Sequence, residues 1–530
     1  MIDLDTGLHY PIDIKALPRN WVSAFIEDYA EEVESGFACG KHNSEGEGII
    51  HLRPMNISRN GVVDLSDFRS VPNDFNKKRL SEGDVLFNNT NSPELIGKTA
   101  HVTKKYAGLA FSNHMTRIKF HPGISPKFAA IQLHYLWMMK YYLHRCVKHV
   151  NQASISTKDM ARTIPFVLPP LNEQKRIVAK IEELFSELDN GIAALKTTRE
   201  QLKVYRQAVL KHAFEGKLTA KWREENAKKL ESPEQLLARI QKEREARYQQ
   251  QLDEWKAAIK AWEANGKEGK KPGKPKPLKD WGELQKDLIT KLPILPDSWA
   301  WKKLGFLTTG VEYGTSAKSS ESGLIPVIRM GNLQNGGIDW SDLVYTSDFE
   351  EIEKYSLRTN DVLFNRTNSP ELVGKTARYK GEQPALFAGY LIRVNQIETI
   401  ALPDYVNYFL NSHIAKQYGN SVKTDGVNQS NINGEKLQNY PFPFCSIEEQ
   451  SVIVEILEEK LSLTDASLQD IAVQLGKAET LRQSILKKAF SGQLVPQDTD
   501  DEPASELLSR IQAEKEATKT KSTNKTRKTK

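Results

Sequence analysis

Two stretches of the chain carry core-type positions at alternating three- and four-residue spacing, in one shared register. In the first, Val178, Ile181, Phe185, Leu188, Ile192, Leu195, Arg199, Leu202, Arg206, Val209 and Ala213 follow the spacing. In the second, Val454, Leu457, Leu461, Thr464, Leu468, Ile471, Leu475, Ala478, Arg482, Ile485 and Ala489 follow it position for position. That spacing is a heptad seam, which one helix buries most simply against another. Each stretch is entered through prolines, Leu168-Pro169-Pro170 or Pro441-Phe442-Pro443, and then runs without proline. At 1.5 Å per residue, about 43 helical residues make a rod of roughly 65 Å. Elsewhere the pattern changes to short β-like runs such as Asp84-Val-Leu-Phe87, set among Gly, Asn, Pro and Ser clusters, with a helical patch near 127–142. This mixture predicts α+β domains over about 1–165 and 289–440.

The chain is a head-to-tail duplication. Asp84-Val-Leu-Phe-Asn-Asn-Thr-Asn-Ser-Pro-Glu-Leu-Ile-Gly-Lys-Thr-Ala100 returns as Asp361-Val-Leu-Phe-Asn-Arg-Thr-Asn-Ser-Pro-Glu-Leu-Val-Gly-Lys-Thr-Ala377, an offset of 277 residues. Leu17-Pro18 with Trp21 returns as Leu295-Pro296 with Trp299, Asn151-Gln152 as Asn428-Gln429, and Glu173-Gln174 as Glu449-Gln450. Phe214, Gly216 and Leu218 return as Phe490, Gly492 and Leu494, and Leu236-Leu237-Ala-Arg239-Ile240 as Leu507-Leu508-Ser-Arg510-Ile511. So long a period is not that of a solenoid or propeller. The expected order is a domain over 1–165, a helix over 166–220, a charged helical extension and Lys/Gly/Pro linker over 221–288, a second domain over 289–440, a second helix over 441–496, and a helical segment with a disordered basic tail over 497–530. The linker, Gly266–Pro277, reads as solvated.

A length of 530 residues suits several structural units, and 39% hydrophobic with 27% charged residues is ordinary for a globular protein. No run approaches the roughly 18 apolar residues of a membrane span, and Met1-Ile-Asp-Leu-Asp5 lacks the features of a secretory leader. With three scattered cysteines, Cys39, Cys146 and Cys445, a cytoplasmic location is expected. The net charge is +6, and the positives from Lys519 to Lys530 have no acidic neighbour, which adds a weak pointer to a polyanion.

Gly97-Lys98-Thr99 and Gly374-Lys375-Thr376 imitate the end of a phosphate-binding loop, but Ser92 and Ser369 stand where that loop needs its first glycine, and Pro93 and Pro370 remove a backbone donor. The stretch reads better as strand, polar loop, strand. Asn and Arg side chains can contact base edges in a bidentate manner, and Ser or Thr can reach bases or phosphates. His144, Cys146, His149, Cys39 and His42 lack zinc spacing, and at the offset the first three meet Ser421, Lys423 and Gly426. His-Glu-x-x-His and Gly-x-Ser-x-Gly are absent, and Leu168-Pro169-Pro170-Leu171 has neither the amide nor the ring of a DNA methyltransferase motif.

Two globular modules alternating with two heptad helices, with Leu168-Pro-Pro-Leu-Asn-Glu-Gln174, the repeated Ala-Phe-x-Gly-x-Leu helix ends and Gly216-Lys-Leu-Thr-Ala-Lys-Trp-Arg-Glu-Glu-Asn226, closely resemble the specificity subunit of type I restriction-modification systems. The resemblance covers nearly the whole chain and is strongest in the helices. It implies an α+β fold with two tandem target recognition domains separated by two long antiparallel coiled-coil helices, duplicated with pseudo-two-fold symmetry. It also implies a non-catalytic subunit that reads a bipartite double-stranded DNA target and docks two methyltransferase subunits and two motor-nuclease subunits. S-adenosylmethionine, ATP and Mg2+ would sit on those partners, and no membrane is involved. Approximate two-fold symmetry suits half-sites about one helical turn, roughly 34 Å, apart.

Within that resemblance the residues expected at DNA are Asn88, Asn89, Thr90, Asn91, Ser92 and Lys98 in the first domain, and Asn365, Arg366, Thr367, Asn368, Ser369 and Lys375 in the second. Arg53, Arg329, Asn151, Gln152, Asn428 and Gln429 follow as second-line contacts. The near-identity of the loops predicts similar half-sites, with Asn89 against Arg366 as the clearest difference. The alternatives are a nuclease or methyltransferase active as the isolated chain, and a coiled-coil scaffold whose binding falls little with salt.

Overall fold

The computed structural model describes residues 10–73, 77–150, 152–275, 277 and 279–527. Its main helices are α1 (Pro126–Met138), α2 (Leu171–Phe214), α3 (Pro233–Ala264), α4 (Pro403–Leu410), α5 (Ile447–Phe490) and α6 (Ala504–Arg527). Among the described residues no helix is long and apolar enough to cross a membrane. The chain divides into two compact units, residues 1–196 with 471–530, and residues 197–470. The units are therefore interleaved along the sequence. Both divisions fall inside the long helices, because a helix with one apolar stripe needs a partner stripe along its whole length.

In the first unit, β2 (Ala30–Ser35), β3 (Val85–Asn88), β5 (Thr99–His101) and β6 (Met115–Phe120) form an antiparallel sheet in the order β2-β6-β3-β5. β4 (Thr90–Asn91), β7 (Val147–Lys148) and β8 (Ala153–Ser154) form a smaller one, and β1 (Val22–Phe25) pairs with β9 (Pro165–Leu168). Along β3, Val85 and Phe87 enter the main core while Leu86 enters a smaller one with Leu52 and Phe111, the alternation of a strand covered on both faces. The main core joins Phe128 and Leu133 of α1 to Ile181 of α2, Leu486 and Phe490 of α5, and Leu507 and Ile511 of α6.

The second unit repeats the plan. β11 (Thr308–Tyr313), β12 (Val362–Asn365), β14 (Thr376–Arg378) and β15 (Leu391–Gln396) form the sheet in the order β11-β15-β12-β14. β13 (Thr367–Asn368), β16 (Thr424–Asp425) and β17 (Ser430–Asn431) form the smaller one, and β10 (Ala300–Lys303) pairs with β18 (Pro441–Phe444). Here the core takes Val209 and Phe214 from the end of α2, Leu236 and Ile240 from α3, and Ile453 and Leu457 from the start of α5. The units thus exchange helix ends: the first domain is completed by the end of the second long helix, and the second domain by the end of the first.

The heptad register holds throughout, since all its positions are buried or half-buried. The polar ones are satisfied. Arg482 pairs with Asp189 and lies 4.4 Å over the Phe185 ring, and Arg206 reaches Asp465 at 2.6 Å. Ser232 caps α3 in a reciprocal box with Gln235. The Lys/Gly/Pro segment after α3 is largely exposed, yet it is strapped to that helix by indole donors, Trp255 to the Pro272 carbonyl and Trp262 to the Gly269 carbonyl. At the other end α6 continues to Arg527, past Thr518 where a disordered tail was expected. The segment contains neither Gly nor Pro to stop it. Residues 528–530 of that tail lie outside the described residues.

Candidate nucleic-acid interface

The repeated landmarks serve two purposes. Some are buried staples between domain and helix. Trp21 donates its indole N–H to Glu173, in the first turn of α2, at 3.0 Å, and Trp299 does the same to Glu449 of α5 at 2.8 Å. Both carboxylates are fully buried, and burial raises that of Glu173 above its ordinary range. Glu449 is further bound by Arg223 and by the Thr219 hydroxyl at 2.6 Å, and Glu173 by the Gln497 amide. Gln174 and Gln450 close the same joints, accepting from the Ser125 and Leu402 backbone N–H groups at 2.8 and 2.9 Å. They donate in turn to the Pro169 and Ile400 carbonyls, each at 2.9 Å. The Glu-Gln pair is therefore structural.

The other landmarks meet at the surface. In the first unit β4 pairs with β8, Asn91 opposite Ala153 and Thr90 opposite Ser154. In the second, β13 pairs with β17, Thr367 opposite Asn431 and Asn368 opposite Ser430. Each polar loop thus shares a sheet with the hairpin that carries the Asn-Gln pair some 60 residues later. Gly97 and Gly374, both at φ 90°, turn the chain back so that their N–H groups donate to the Asn88 and Asn365 carbonyls at 2.9 and 2.8 Å. Gly-Lys-Thr thus closes the hairpin between β3 and β5, and between β12 and β14.

Within this sheet Asn91 and Asn368 accept the N–H of the following serine, Ser92 or Ser369, at 2.8 Å. Thr90 donates to Asn89, and Thr367 accepts from the Asn431 amide at 2.7 Å. Thr90, Asn91, Ser92, Thr367, Asn368 and Ser369 are half-exposed, and Gln152, Asn428 and Gln429 are exposed. Arg366 is also half-exposed, its guanidinium 4.8 Å over the Tyr313 ring, while Lys375 donates to Gln334 at 3.0 Å. Asn151 lies outside the described residues.

Four expected contacts are interior instead. Asn88 and Asn365 end the covered central strands and are fully buried, the first donating to the Pro54 carbonyl at 2.9 Å. Asn89 is buried against the Asn113 carbonyl and the Thr116 hydroxyl, at 3.2 and 3.0 Å. Lys98 is buried with its ammonium on the Ile57 carbonyl, and burial together with nearby Arg59 lowers its pKa. Arg53 and Arg329 open two short 3-10 turns, each donating its N–H at 2.9 Å to Asn56 or Asn332. Their guanidiniums approach Asp67 at 3.6 Å and Asp342 at 3.0 Å, so each already faces an anion. The buried loop staples Asn56 and Asn332 were legible as a repeated Arg-x-x-Asn, whereas the platform Tyr313 has Ser35 at its repeat position.

The family model of the type I restriction modification DNA specificity domain matches residues 18–203 and 304–475, one region in each half of the duplication. The type I restriction enzyme EcoKI specificity subunit of Escherichia coli K12 is 26% identical over 527 residues, covering 94% of this chain and 97% of that protein. The StySPI specificity subunit of Salmonella potsdam is 23% identical over 520 residues, covering 94% and 96%. A chain from a structure of the type I R-M system superposes with a TM-score of 0.61 at 17% identity, covering 90% of this chain and 99% of that one. The last likeness concerns the fold.

Proposed function

The chain belongs to the family of type I restriction-modification DNA specificity subunits, and from that premise we propose that it reads a bipartite target, one half-site per domain, and docks methyltransferase and motor-nuclease subunits on its long helices. The observation that carries this reading is the pair of polar three-stranded sheets, one within each matched region, in which the loop and the Asn-Gln hairpin come together. Thr90, Asn91, Ser92 and Gln152 read one half-site; Arg366, Thr367, Asn368, Ser369, Asn428 and Gln429 read the other. Lys375 contributes to phosphate affinity. The chemistry belongs to the partners, which hold S-adenosylmethionine, ATP and Mg2+, and methylation falls on adenine N6. The related loops argue for related half-sites, and Arg366, half-exposed over the Tyr313 ring where Asn89 is buried, for one base preference particular to the second.

The test is co-expression with a methyltransferase subunit followed by single-molecule methylome sequencing. A split adenine-methylated motif is expected. Arg366→Ala should relax one position of one half-site, by about 1–3 kcal/mol of discrimination. Absence of a motif from a stable complex rejects the reading, and two unrelated half-sites reject the inference drawn from loop identity.

A further inference from the structure

The hairpin tips present a feature that neither packing nor turn chemistry explains. Val427 is 101% exposed and Val150 is 99% exposed, and they occupy the same place in the repeat. In each hairpin a short backbone bond closes the tip, from Gly426 N–H to the Gln429 carbonyl and from His149 N–H to the Gln152 carbonyl, both at 2.7 Å. Val427 therefore stands at the centre of a tight turn, where Gly, Asn, Asp and Ser are the favoured residues. A β-branched apolar side chain there contributes nothing to the fold, yet the duplication carries it twice. Local rules broken without structural gain point to function.

The surroundings indicate the partner. Beside each valine stand exposed amides, Asn428 and Gln429 or Gln152, suited to base edges. Near the base of the second hairpin lie Lys423, which donates to the Pro370 carbonyl at 3.2 Å and faces Asp425 at 4.0 Å, and Lys436, bonded to the Thr424 hydroxyl at 2.6 Å. The one carboxylate in that hairpin, Asp425, is engaged by Ser430. A two-stranded ribbon fits the major groove, where the apolar feature of a base edge is the thymine 5-methyl group. We propose that Val427 and Val150 are base-reading tips that pack on a thymine methyl in their respective half-sites, while the adjacent amides bond the neighbouring edge. This rests on the DNA-recognition reading above.

The experiment uses the full chain assembled with its methyltransferase, as wild type, V427A and V150A, with the methylated motif first defined by methylome sequencing. Duplexes carrying that motif are then made with each thymine replaced in turn by deoxyuridine, which lacks only the methyl group. One replacement in one half-site is expected to weaken wild-type binding about tenfold and V427A binding not at all, with V427A itself about tenfold weaker on the thymine duplex. V150A should behave likewise in the other half-site, and affinity for duplex without the motif should not change. Wild-type behaviour of V427A, or a loss in V427A without any deoxyuridine-sensitive position, overturns the methyl contact. Loss of assembly with the methyltransferase at unchanged DNA affinity makes the tip a protein contact and overturns it too. A wild-type complex that methylates no split motif defeats the underlying reading, and the inference with it.

Discussion

Lys98 and Lys375 are the same residue of the repeat in different surroundings. Lys98 is buried on the Ile57 carbonyl, while Lys375 is half-exposed on Gln334. Lys98→Ala should cost about 1–3 kcal/mol in urea unfolding, because a buried carbonyl loses its donor. The salt slope of DNA binding should be unchanged, whereas Lys375→Ala should lower that slope by about one with little loss of stability. His134 and Asn411 diverge similarly. His134 accepts the Thr99 N–H through Nδ1 at 3.2 Å, and Nε2 is 3.0 Å from the Arg59 carbonyl, a pairing that suits only the neutral ring with its proton on Nε2. Burial pushes its pKa down to about 4 from 6.5. Below pH 6.5 the unfolded chain binds a proton that the folded one refuses, so stability falls as pH drops from about 6.5 to about 4. Asn411 accepts the equivalent Thr376 N–H at 3.2 Å without titrating. His134→Asn should therefore flatten acid unfolding in that window, leaving the share of His51, also pushed down to about 4, and those of His42 and His101, which burial lowers as well.

The long helices owe their place to their ends as well as to their seam. Glu449 in the first turn of α5 holds Trp299, Thr219 and Arg223 at once. Glu449→Ala would leave the mostly buried Arg223 guanidinium without its counter-charge and the Trp299 indole N–H without its acceptor, and a loss of about 3–5 kcal/mol is expected in denaturant titration. Glu449→Gln, which keeps an acceptor for the indole, should cost less. Gly492, at φ 72° after α5, faces Pro18, and Gly216, at φ 70° after α2, faces Pro296. A Cβ at either would lie within 2.5 Å of the proline ring, which explains why a glycine and a Leu-Pro recur together in both copies.

In the molecule as a whole, the exchange of helix ends makes the last segment part of the first domain. Leu507 and Ile511 of α6 are buried in the core that also holds Phe128 and Phe166. Ending the chain before α6 should abolish hydrogen-exchange protection around β1, β9 and the start of α2, while the second unit keeps its protection. Leu507→Ala alone should cost the first unit about 2–5 kcal/mol. Equal loss of protection in both units would contradict the division of the core.

The duplication, the heptad register and the α+β character were legible in the sequence because they rest on local periodicity and on direct repetition: a seam residue such as Ile181 or Leu457 recurs at a spacing set by the helix itself. The polar loops were legible as loops because Asn, Ser, Pro and Gly cluster there. Which of their side chains face outward was not, since Asn88 and Asn91 differ only in where the strand ends, and that is set by the sheet packed on both sides of β3. Identical letters likewise conceal different roles, as Lys98 and Lys375 do, because burial depends on neighbours far along the chain. The pairing of each loop with its Asn-Gln hairpin and the crossing of each helix end into the other domain were decided by tertiary structure alone: both are contacts between distant segments, and local spacing carries no record of them.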